Sequence, residues 1–399
     1  MPDDVRTIIR TLIDAGYEAW AVGGCVRDSL LGRVPKDWDI TTSALPQMIK
    51  SLFPRTIDTG IEHGTVTVML NGTGYETTTY RIDGKYSDAR HPDKVTFAPS
   101  LEEDLKRRDF TINAMAYSDE KGLVDLFGGT HDIDSKIIRC VGDPTERFSE
   151  DALRILRAVR FSAELDFDIE EATLAAAGSL RDRLTLISAE RIHAELEKLI
   201  MSGHPDRLGL IHSTGIDKVI LPELADAEQA AEGNTDRLIS MLEASPYDRR
   251  IRWSVLISRI DNSFKVLRRL KFDNNTIQTA SLLIRFSTVR LDGLSDAEMR
   301  KLMNSAGTEN MPLIFGFRQV IEPGSDHSAS EAQYRAVLER GECTELKDLA
   351  IDGHDLIDQG IPAGKEVGEI LKRLLNDVLD DPSLNRKELL LERIGKYRK

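Results

Sequence analysis

Two aspartates, Asp37 and Asp39, are separated by one residue in a stretch whose composition suits a β-strand. Side chains alternate between the two faces of a strand, so both carboxylates are expected on the same face. Paired carboxylates suit Mg²⁺, which prefers hard oxygen ligands and bridges substrate phosphates. The pair therefore indicates phosphoryl or nucleotidyl transfer, although two solvent-facing acids at a strand edge fit the same spacing.

A glycine pair precedes these acids, where a predicted strand (residues 17–22) gives way to a predicted helix (residues 25–32). The backbone amides of Gly23 and Gly24 and the positive end of the helix could cradle a triphosphate, with Arg27 one turn into the helix. A tight turn without a ligand also explains the glycines. Gly24 and Arg27 are therefore candidate nucleotide-binding residues.

A third carboxylate, Glu76, opens a stretch rich in β-branched and aromatic residues. Residues 65–70 and 75–82, with the glycine-containing segment 71–74 between them, predict a hairpin in a mixed sheet. Glu76 is a candidate base toward an attacking 3′-hydroxyl. Spacing along the chain does not establish that it reaches the two aspartates.

The chain has 399 residues, which favours more than one domain. From about residue 145 onward the apolar residues follow helical spacing, and the pattern predicts helices alone. No apolar run approaches the roughly 20 residues of a membrane helix. The acidic N-terminus lacks the features of a secretion signal, so we expect a cytoplasmic protein without membrane contact. Three widely separated cysteines predict buried free thiols.

Asp151, Arg154, Arg157 and Arg160 recur every three residues, which predicts a stripe along one helix. Salt bridges on a surface helix explain such a stripe. Base reading is the alternative, because cytosine and adenine both present an amine donor beside a ring-nitrogen acceptor. Asp151 could accept from the amine while Arg154 donates to the ring nitrogen, and uracil or guanine would mismatch both groups.

Residues 249–290 carry ten basic side chains and two acidic ones, although the formal charge of the whole chain is −14. The overall charge argues against non-specific coating of nucleic acid. The basic segment fits either a solvated helix surface or contact with RNA.

Several motifs occur in one order along the chain. They are Gly23-Gly24-Cys25-Val26-Arg27-Asp28, Asp37-Trp38-Asp39, Arg107-Arg108-Asp109-Phe110-Thr111-Ile112-Asn113-Ala114, Asp125-Leu126-Phe127-Gly128-Gly129 and the run from Glu150 to Phe161, EDALRILRAVRF. In these motifs the sequence resembles the class II tRNA nucleotidyltransferases, whose head is shared with bacterial poly(A) polymerases.

The resemblance implies an α+β fold, with a polymerase-β-like nucleotidyltransferase head of mixed sheet and helices followed by all-helical neck, body and tail domains. We place these domains at residues 1–143, 144–204, 205–305 and 306–399. The neck would recognise the nucleotide base, and the body and tail would bind tRNA. A homodimer is left open.

The implied reaction is template-independent addition of CCA to tRNA, at its 3′ end and acceptor arm, from CTP and ATP with Mg²⁺ held by Asp37 and Asp39. By the same resemblance, Arg108, Arg157 and Arg160 would bind the triphosphate or ribose, and Asp109 would support the nucleotide pocket. Asp151 and Arg154 would read the base. Residues 81–97, around Asp88-Ala89-Arg90-His91-Pro92, look like the loop that the family uses to switch from C to A, although a plain surface loop is the alternative.

Other functions remain open at this point. A poly(A) polymerase or an enzyme that adds only A or only CC would carry a similar head, although the segment 60–68 looks more like the CCA-adding type. A non-catalytic tRNA-binding relative would have lost the metal-binding or base-reading residues, and none of these is lost here. The isolated pairs His131-Asp132 and His354-Asp355 lack the further ligands of a phosphohydrolase.

Overall fold

The computed structural model describes residues 1–83, 95–98, 100–230 and 235–397. The chain divides into two compact units, Met1–Ile239 with Arg269–Lys271, and Ser240–Arg268 with Phe272–Lys399. Strands occur among the described residues of the first unit, whereas the regular elements described in the second unit are helices. Over the ranges given above, no helix combines the length and apolar character that a membrane crossing requires.

The strands are short, as in most mixed sheets. They are β1 (Ala19–Val22), β2 (Asp39–Thr42), β3 (Thr56–Gly60), β4 (Thr65–Leu70), β5 (Thr73–Thr79), β6 (Arg81–Asp83), β7 (Val95–Phe97), β8 (Met115–Ser118), β9 (Gly122–Asp125), β10 (Ile137–Ile138) and β11 (Asp168–Ile169).

Helices lie between the strands of the first unit and make up most of the rest of the chain. They are α1 (Asp3–Asp14), α2 (Gly24–Leu30), α3 (Pro46–Leu52), α4 (Leu101–Lys106), α5 (Gly129–Asp134), α6 (Pro144–Glu150), α7 (Leu153–Leu165), α8 (Glu171–Ser179), α9 (Ala189–Ile200), α10 (Leu208–Ser213), α11 (Asp217–Ile220), α12 (Pro222–Ala230), α13 (Thr235–Ala244), α14 (Arg249–Ile257), α15 (Ser263–Arg269), α16 (Asn274–Arg285), α17 (Asp296–Ala306), α18 (Met311–Ile321), α19 (Ser328–Glu339), α20 (Gly353–Asp358), α21 (Lys365–Asp380) and α22 (Lys387–Ile394).

Seven strands form one sheet in the order β3-β4-β5-β2-β1-β8-β9. Strands β2 and β5 pair in parallel, and the other neighbours pair antiparallel. The predicted hairpin is confirmed as β4 and β5, with Val68 opposite Tyr75. A mixed sheet followed by helices agrees with the predicted fold class. The parallel pair is the important one for the site, because it aligns two strands that are distant in sequence.

Apolar spacing explains the first helix. Val5, Ile8, Ile9 and Leu12 are buried on one face of α1, as the sequence predicts. In the same unit, an apolar cluster that includes Trp20 of β1, Leu105 of α4 and Ala116 of β8 joins these three elements, together with Tyr80. This packing fixes the strand from which the glycine turn emerges.

The second unit has its own apolar core. Its cluster includes Leu356, Leu374, Val378 and Leu390, all of them almost completely inaccessible to solvent. These residues come from α20, α21 and α22, and helices in proteins are stabilised mainly by packing of an apolar face against other elements. Packing between the helices therefore stabilises this part of the chain.

Two expectations about the region after residue 145 need correction. Its described residues contain one short strand, β11, which pairs in parallel with β10. The predicted continuous helix through Asp151 is also wrong, since α6 ends at Glu150 and α7 begins at Leu153. Asp151 itself has extended backbone (φ −135°, ψ 104°), and its carboxylate accepts a hydrogen bond from the Leu153 N–H at 3.0 Å. A short acidic side chain that bonds nearby backbone competes with helix formation in this way.

The three cysteines are buried free thiols, as predicted. Burial raises the pKa of Cys25 and Cys343 to about 11 and that of Cys140 to about 12. A thiol is nucleophilic and metal-binding as its thiolate. These side chains therefore act as small apolar residues at neutral pH.

Candidate active site

The parallel pairing of β2 and β5 brings Asp39 and Glu76 together. Ile40 lies opposite Thr77, so the preceding residues, Asp39 and Glu76, are neighbours at the start of the pairing. Both residues are exposed to solvent. Asp37 lies just before β2 and is exposed as well. The sequence does not establish whether Glu76 reaches the two aspartates. The register of β2 and β5 places it beside Asp39.

The surroundings of Asp39 are crowded with charge. Desolvation by neighbouring protein atoms raises the pKa of Asp39, the positive charge of Arg108 opposes this, and the negative charges of Glu76 and Asp37 add to it. Asp39 nevertheless remains exposed to solvent. Three acids and one guanidinium thus act on the same small region.

A divalent cation suits this region by the chemistry of its donors. The carboxylates are hard oxygen ligands, and their mutual repulsion at Asp39 is what a bound cation would relieve. Among the residues that the structure describes, no group of three or more His, Cys, Asp and Glu side chains is arranged around one metal position. Asp37 and Asp39 are therefore candidates to hold part of such a site.

The glycine turn lies directly beside this acidic region. Val22, the last residue of β1, pairs with Asp39 across the antiparallel ladder, and Gly23 follows with φ 83° and ψ −131°. This conformation is open to glycine and disfavoured for other residues. A β-carbon at Gly23 would lie 2.9 Å from Nη1 of Arg108. The turn therefore needs glycine both for its backbone and for the space that Arg108 occupies.

Arg108 links the turn to the sheet. Its guanidinium lies against Gly23 and donates to Oδ2 of Asp104 at 3.4 Å. Asp104 is fully buried and also binds Arg107 and the Thr41 hydroxyl. Burial opposes ionisation of Asp104, but Arg107 and Arg108 together hold its pKa below the ordinary value. Arg108 is thereby placed where it faces both the glycine turn and Asp39.

Arg27 lies on α2, one turn after the glycines, as predicted. It is 8% exposed. Its Nη1 donates to Oδ1 of Asn113 at 2.6 Å, and its Nε donates to Asp28 at 2.9 Å. A β-carbon at Gly24 would lie 3.6 Å from Nη2 of the same guanidinium. The side chain is thus fixed at the base of the turn by two partners.

Asp109 is the centre of a buried polar network. Oδ1 accepts from the Phe110 N–H at 2.8 Å and from the Asn113 amide at 3.1 Å, and Oδ2 accepts from Nε and Nη2 of Arg157. Burial acts to raise the pKa of Asp109, but Arg157 and Asn113 hold it well below the ordinary carboxyl value. Asn113 thereby connects Asp109 to Arg27.

Asp151 and Arg154 have separate partners. Arg191 Nη2 donates to Oδ2 of Asp151 at 2.9 Å. Arg154 donates to Oε2 of Glu150 at 2.7 Å and to the carbonyls of Arg147 and Arg107 at 3.2 and 2.9 Å. These three bonds use three of the five N–H donors of a guanidinium. Each of the two predicted base readers is therefore held by other residues and retains hydrogen-bonding capacity.

Arg157 and Arg160 share α7 with Arg154. Both guanidiniums lie over the Phe161 ring, at 5.2 and 3.7 Å from its centroid. Arg160 is 7% exposed and pairs with Glu164 at 2.6 Å and Glu195 at 2.7 Å. Two carboxylates therefore compensate its charge inside the protein. Arg157 is bound to Asp109 and keeps one-third of its side chain accessible.

Several residues around the site were not assigned roles from the sequence. Asn113 and Phe161 lie within quoted motifs, and Asp104, Arg191 and Glu195 lie outside them. The i, i+4 spacing of Asp104 and Arg108 on either side of the end of α4 was a usable signal. The contact between Arg191 and Asp151 joins distant segments and has no local signal. The predicted C-to-A switching loop around 88–92 lies outside the described residues, and only its flanking strands β6 and β7 are described.

Some of the basic residues in segment 249–290 form ion pairs with acids elsewhere in the protein. Arg250 pairs with Asp248, Arg269 with Glu223 and Arg290 with Glu298, all acids outside the segment. Arg268 lies over the Phe264 ring at 4.4 Å, and that phenylalanine is 42% exposed. The excess positive charge of segment 249–290 is therefore smaller on the folded surface than a count of its residues indicates.

Comparison with known families covers most of the chain. Residues 19–139 match the family described as Poly A polymerase head domain, residues 166–228 match Probable RNA and SrmB-binding site of polymerase A, and residues 248–394 match tRNA nucleotidyltransferase domain 2. The first of these spans the carboxylates, the glycine turn and Asp109.

Individual relatives are similar over their full length. A CCA-adding enzyme of Pediococcus pentosaceus is 38% identical over 100% of this chain and 98% of its own. One of Levilactobacillus brevis is 40% identical over 97% of this chain and 96% of its own. Among solved structures, the Bacillus stearothermophilus CCA-adding enzyme in complex with CTP has a TM-score of 0.84 and 35% identity, with 99% of each chain covered.

Proposed function

The chain belongs to the CCA-adding enzymes, a family of tRNA nucleotidyltransferases, and we propose that it builds and repairs the 3′-terminal CCA of tRNA from CTP and ATP. The observation that carries the proposal is the grouping of Asp39, Glu76 and Arg108 beside the glycine turn. Nucleotidyl transfer needs carboxylates that bind a cation, and it needs a positively charged side chain that binds phosphate.

We propose Mg²⁺ as the divalent cation, held by Asp37 and Asp39. When bound, it would supply positive charge to the phosphates of the incoming nucleotide. The family membership supports use of a divalent metal, and the oxygen donors favour Mg²⁺ over softer metals.

The remaining side chains would orient the reactants. In the proposed reaction the tRNA 3′-oxygen bonds to the α-phosphorus of CTP or ATP, and diphosphate leaves. Glu76 would accept the proton of the 3′-hydroxyl, because it is the carboxylate neighbouring Asp39. Arg108 and Arg27, at the glycine turn, would bind the triphosphate.

Arg157 and Asp109 would form the wall of the nucleotide pocket. Arg157 remains partly accessible and can turn free donors toward a ribose or phosphate oxygen. Arg160 was predicted to bind nucleotide, but its charge is compensated by two acids. Arg160 remains a proposed nucleotide-binding residue, and its guanidinium shares the Phe161 ring with that of Arg157.

Base choice is assigned to Asp151 and Arg154. An ionised carboxylate accepts hydrogen bonds only, and a guanidinium donates only. This pair matches the amine and ring nitrogen shared by cytosine and adenine, and it mismatches the carbonyl and N–H of uracil and guanine. Protein side chains would thus take the place of a template.

The four predicted domains extend the proposal to the rest of the chain. We propose a head over residues 1–143, a neck over 144–204, a body over 205–305 and a tail over 306–399. The match at 19–139 lies within this head, whereas the match at 166–228 crosses from neck to body and the match at 248–394 spans body and tail. The body and tail would bind the acceptor arm of tRNA. A cytoplasmic location follows from substrates that are tRNA and nucleoside triphosphates.

Omission of one nucleotide at a time tests the proposal. The pure protein is incubated with Mg²⁺ and a tRNA that ends before CCA. CTP alone should give two added cytidines and then stop, whereas ATP alone should give no product. Extension by ATP alone would favour a poly(A) polymerase, and addition of adenosine only to tRNA ending in CC would favour a partial enzyme.

A further inference from the structure

Arg191 on α9 makes a direct contact with the predicted base reader Asp151. Its Nη2 donates to Oδ2 at 2.9 Å, while the Leu153 N–H donates to Oδ1 at 3.0 Å. The two donors come from different elements and bind different oxygens. Together they fix both the position and the plane of the carboxylate.

Helix α9 is well placed to hold Arg191 rigidly. It buries Ile192, Leu196 and Leu199 and packs against α7. One turn after Arg191, Glu195 pairs with Arg160 of α7 at 2.7 Å. Arg191 itself has 23% of its side chain exposed, and Asp151 has 16%. The ion pair is therefore largely shielded and anchored on a packed helix.

From this contact we propose that Arg191 is a positioning residue that sets nucleotide selectivity by orienting the Asp151 carboxylate. The inference rests on the proposed function, in which Asp151 reads the amine of cytosine or adenine. Asp151 lies in extended backbone between α6 and α7. The Leu153 N–H at the start of α7 holds one carboxylate oxygen, and Arg191 holds the other. Without Arg191, the carboxylate could rotate about its terminal torsion, which is broad for aspartate.

The orientation of the Asp151 carboxylate matters because discrimination between cytosine and uracil depends on the angle of its hydrogen bond to the base. A carboxylate oxygen aimed at the amine position accepts a good hydrogen bond from cytosine and meets the carbonyl oxygen of uracil. Hydrogen bonds weaken steeply as their angle departs from linearity. A carboxylate that is free to turn away loses the bond to the right base and also escapes the repulsion from the wrong one. Selectivity should therefore fall by more than overall turnover.

The test uses the full chain with Arg191→Gln, which removes the charge, and Arg191→Lys, which keeps it without the planar fork. Arg207→Gln is the matched control. Arg207 also has 23% of its side chain exposed and pairs with Asp168 at 2.9 Å and Asp166 at 3.3 Å, and it touches no residue assigned to the site. For each protein, kcat/KM is measured for CTP and UTP on tRNA ending before CCA, and for ATP and GTP on tRNA ending in CC.

Arg191→Gln should lower the CTP-to-UTP ratio of kcat/KM about tenfold, the size expected when a hydrogen bond to a charged group is lost. Arg191→Lys should retain part of the ratio, and Arg207→Gln should leave it unchanged. If Arg191 acts through Asp151, Asp151→Asn combined with Arg191→Gln should change the ratio no further than Asp151→Asn alone.

An equal loss of activity toward all four nucleotides, with the ratios unchanged, would overturn the inference. If Arg191→Gln fails to fold, an unchanged ratio in Arg191→Lys has the same meaning. A failure of the proposed function can be distinguished from a failure of this inference. If the proposed function is wrong, the unmodified chain will not add CCA. Addition of CCA by the unmodified chain together with unaltered selectivity in both variants would overturn this inference alone.

Discussion

Asp39 and Glu76 are neighbours across the parallel pair of β2 and β5. Desolvation raises the pKa of Asp39, and the positive charge of Arg108 lowers it. The negative charge of Glu76 adds to the rise. Like charges held side by side destabilise the folded protein unless a cation binds between them. The fold therefore keeps an unfavourable arrangement of charges at the proposed catalytic position.

The carboxylate of Asp39 should be needed for turnover and not for tRNA binding. Asp39→Ala is expected to reduce kcat by about a thousandfold or more, since it removes several kcal/mol of metal-dependent stabilisation. Asp58→Ala is a suitable control, because Asp58 is an exposed acid on β3 that pairs with Lys50 at 2.8 Å. Steady-state extension assays and tRNA gel shifts measure the two properties. Normal turnover of Asp39→Ala would contradict the assignment.

The glycine turn should be sensitive to a single added methyl group. Gly23→Ala introduces a strained positive φ and a β-carbon 2.9 Å from Arg108 Nη1, so the guanidinium must move. Gly32→Ala is the matched control, because Gly32 also has a positive φ (+69°) but open space around it.

Both glycine variants should lose about 1 kcal/mol or more of stability from backbone strain. The KM for CTP should rise several-fold in Gly23→Ala alone. Thermal unfolding and extension kinetics report on these effects. A similar KM in the two variants would argue against a triphosphate-binding role for Arg108.

The pair of Asp109 and Arg157 should make stability depend on acid pH. The pKa of Asp109 is lowered in the folded protein, so its contribution is fully present above the unfolded pKa of about 4 and is lost as the pH falls toward the folded value. Arg157→Met leaves a buried carboxylate without its partner and should cost about 3–5 kcal/mol at pH 7.

That deficit should shrink as the pH is lowered, because protonation neutralises the unpaired Asp109. Melting temperatures of the wild type and Arg157→Met between pH 7 and pH 4 provide the measurement, and Asp109→Asn in the Arg157→Met background should remove the pH dependence of the difference. A deficit that stays constant with pH would show that packing of Arg157, and not its charge, stabilises the pocket.

The two predicted base readers should affect choice as well as rate. Asp151→Ala and Arg154→Ala are each expected to slow addition and to raise incorporation of UTP or GTP relative to CTP or ATP by about ten- to a hundredfold, the range for lost recognition of a polar group. Competition assays with paired nucleotides measure the ratio directly. Slower addition with undiminished selectivity would assign both residues to structural support.

The sequence predicts much of the head because its signals are local. Apolar spacing predicts α1, and the glycine pair predicts the break between β1 and α2. Two stretches rich in β-branched and aromatic residues, with glycines between them, predict the hairpin of β4 and β5. Asp37 and Asp39 are recognisable from their spacing and types. The residues that surround Asp39 in the folded protein, Glu76 and Arg108, are distant in the sequence and cannot be located from this spacing.

Long-range pairings and competing local bonds explain the remainder. The position of Glu76 depends on the register of two parallel strands, and the contact of Arg191 with Asp151 depends on packing of α9. Three-residue periodicity predicted a helix through Asp151, but its carboxylate bonds to the Leu153 N–H and interrupts the helix. Internal ion pairs likewise reduce the free charge of the basic segment, which a count of residues cannot reveal.

The central claim is that this chain adds CCA to tRNA, and sequencing of the products tests it most directly. The pure protein is incubated with Mg²⁺, CTP and ATP and with tRNAs that end before CCA, after C, or after CC. The account predicts that all three substrates converge on a single CCA end without further extension. Oligo(A) tails without CCA would contradict it.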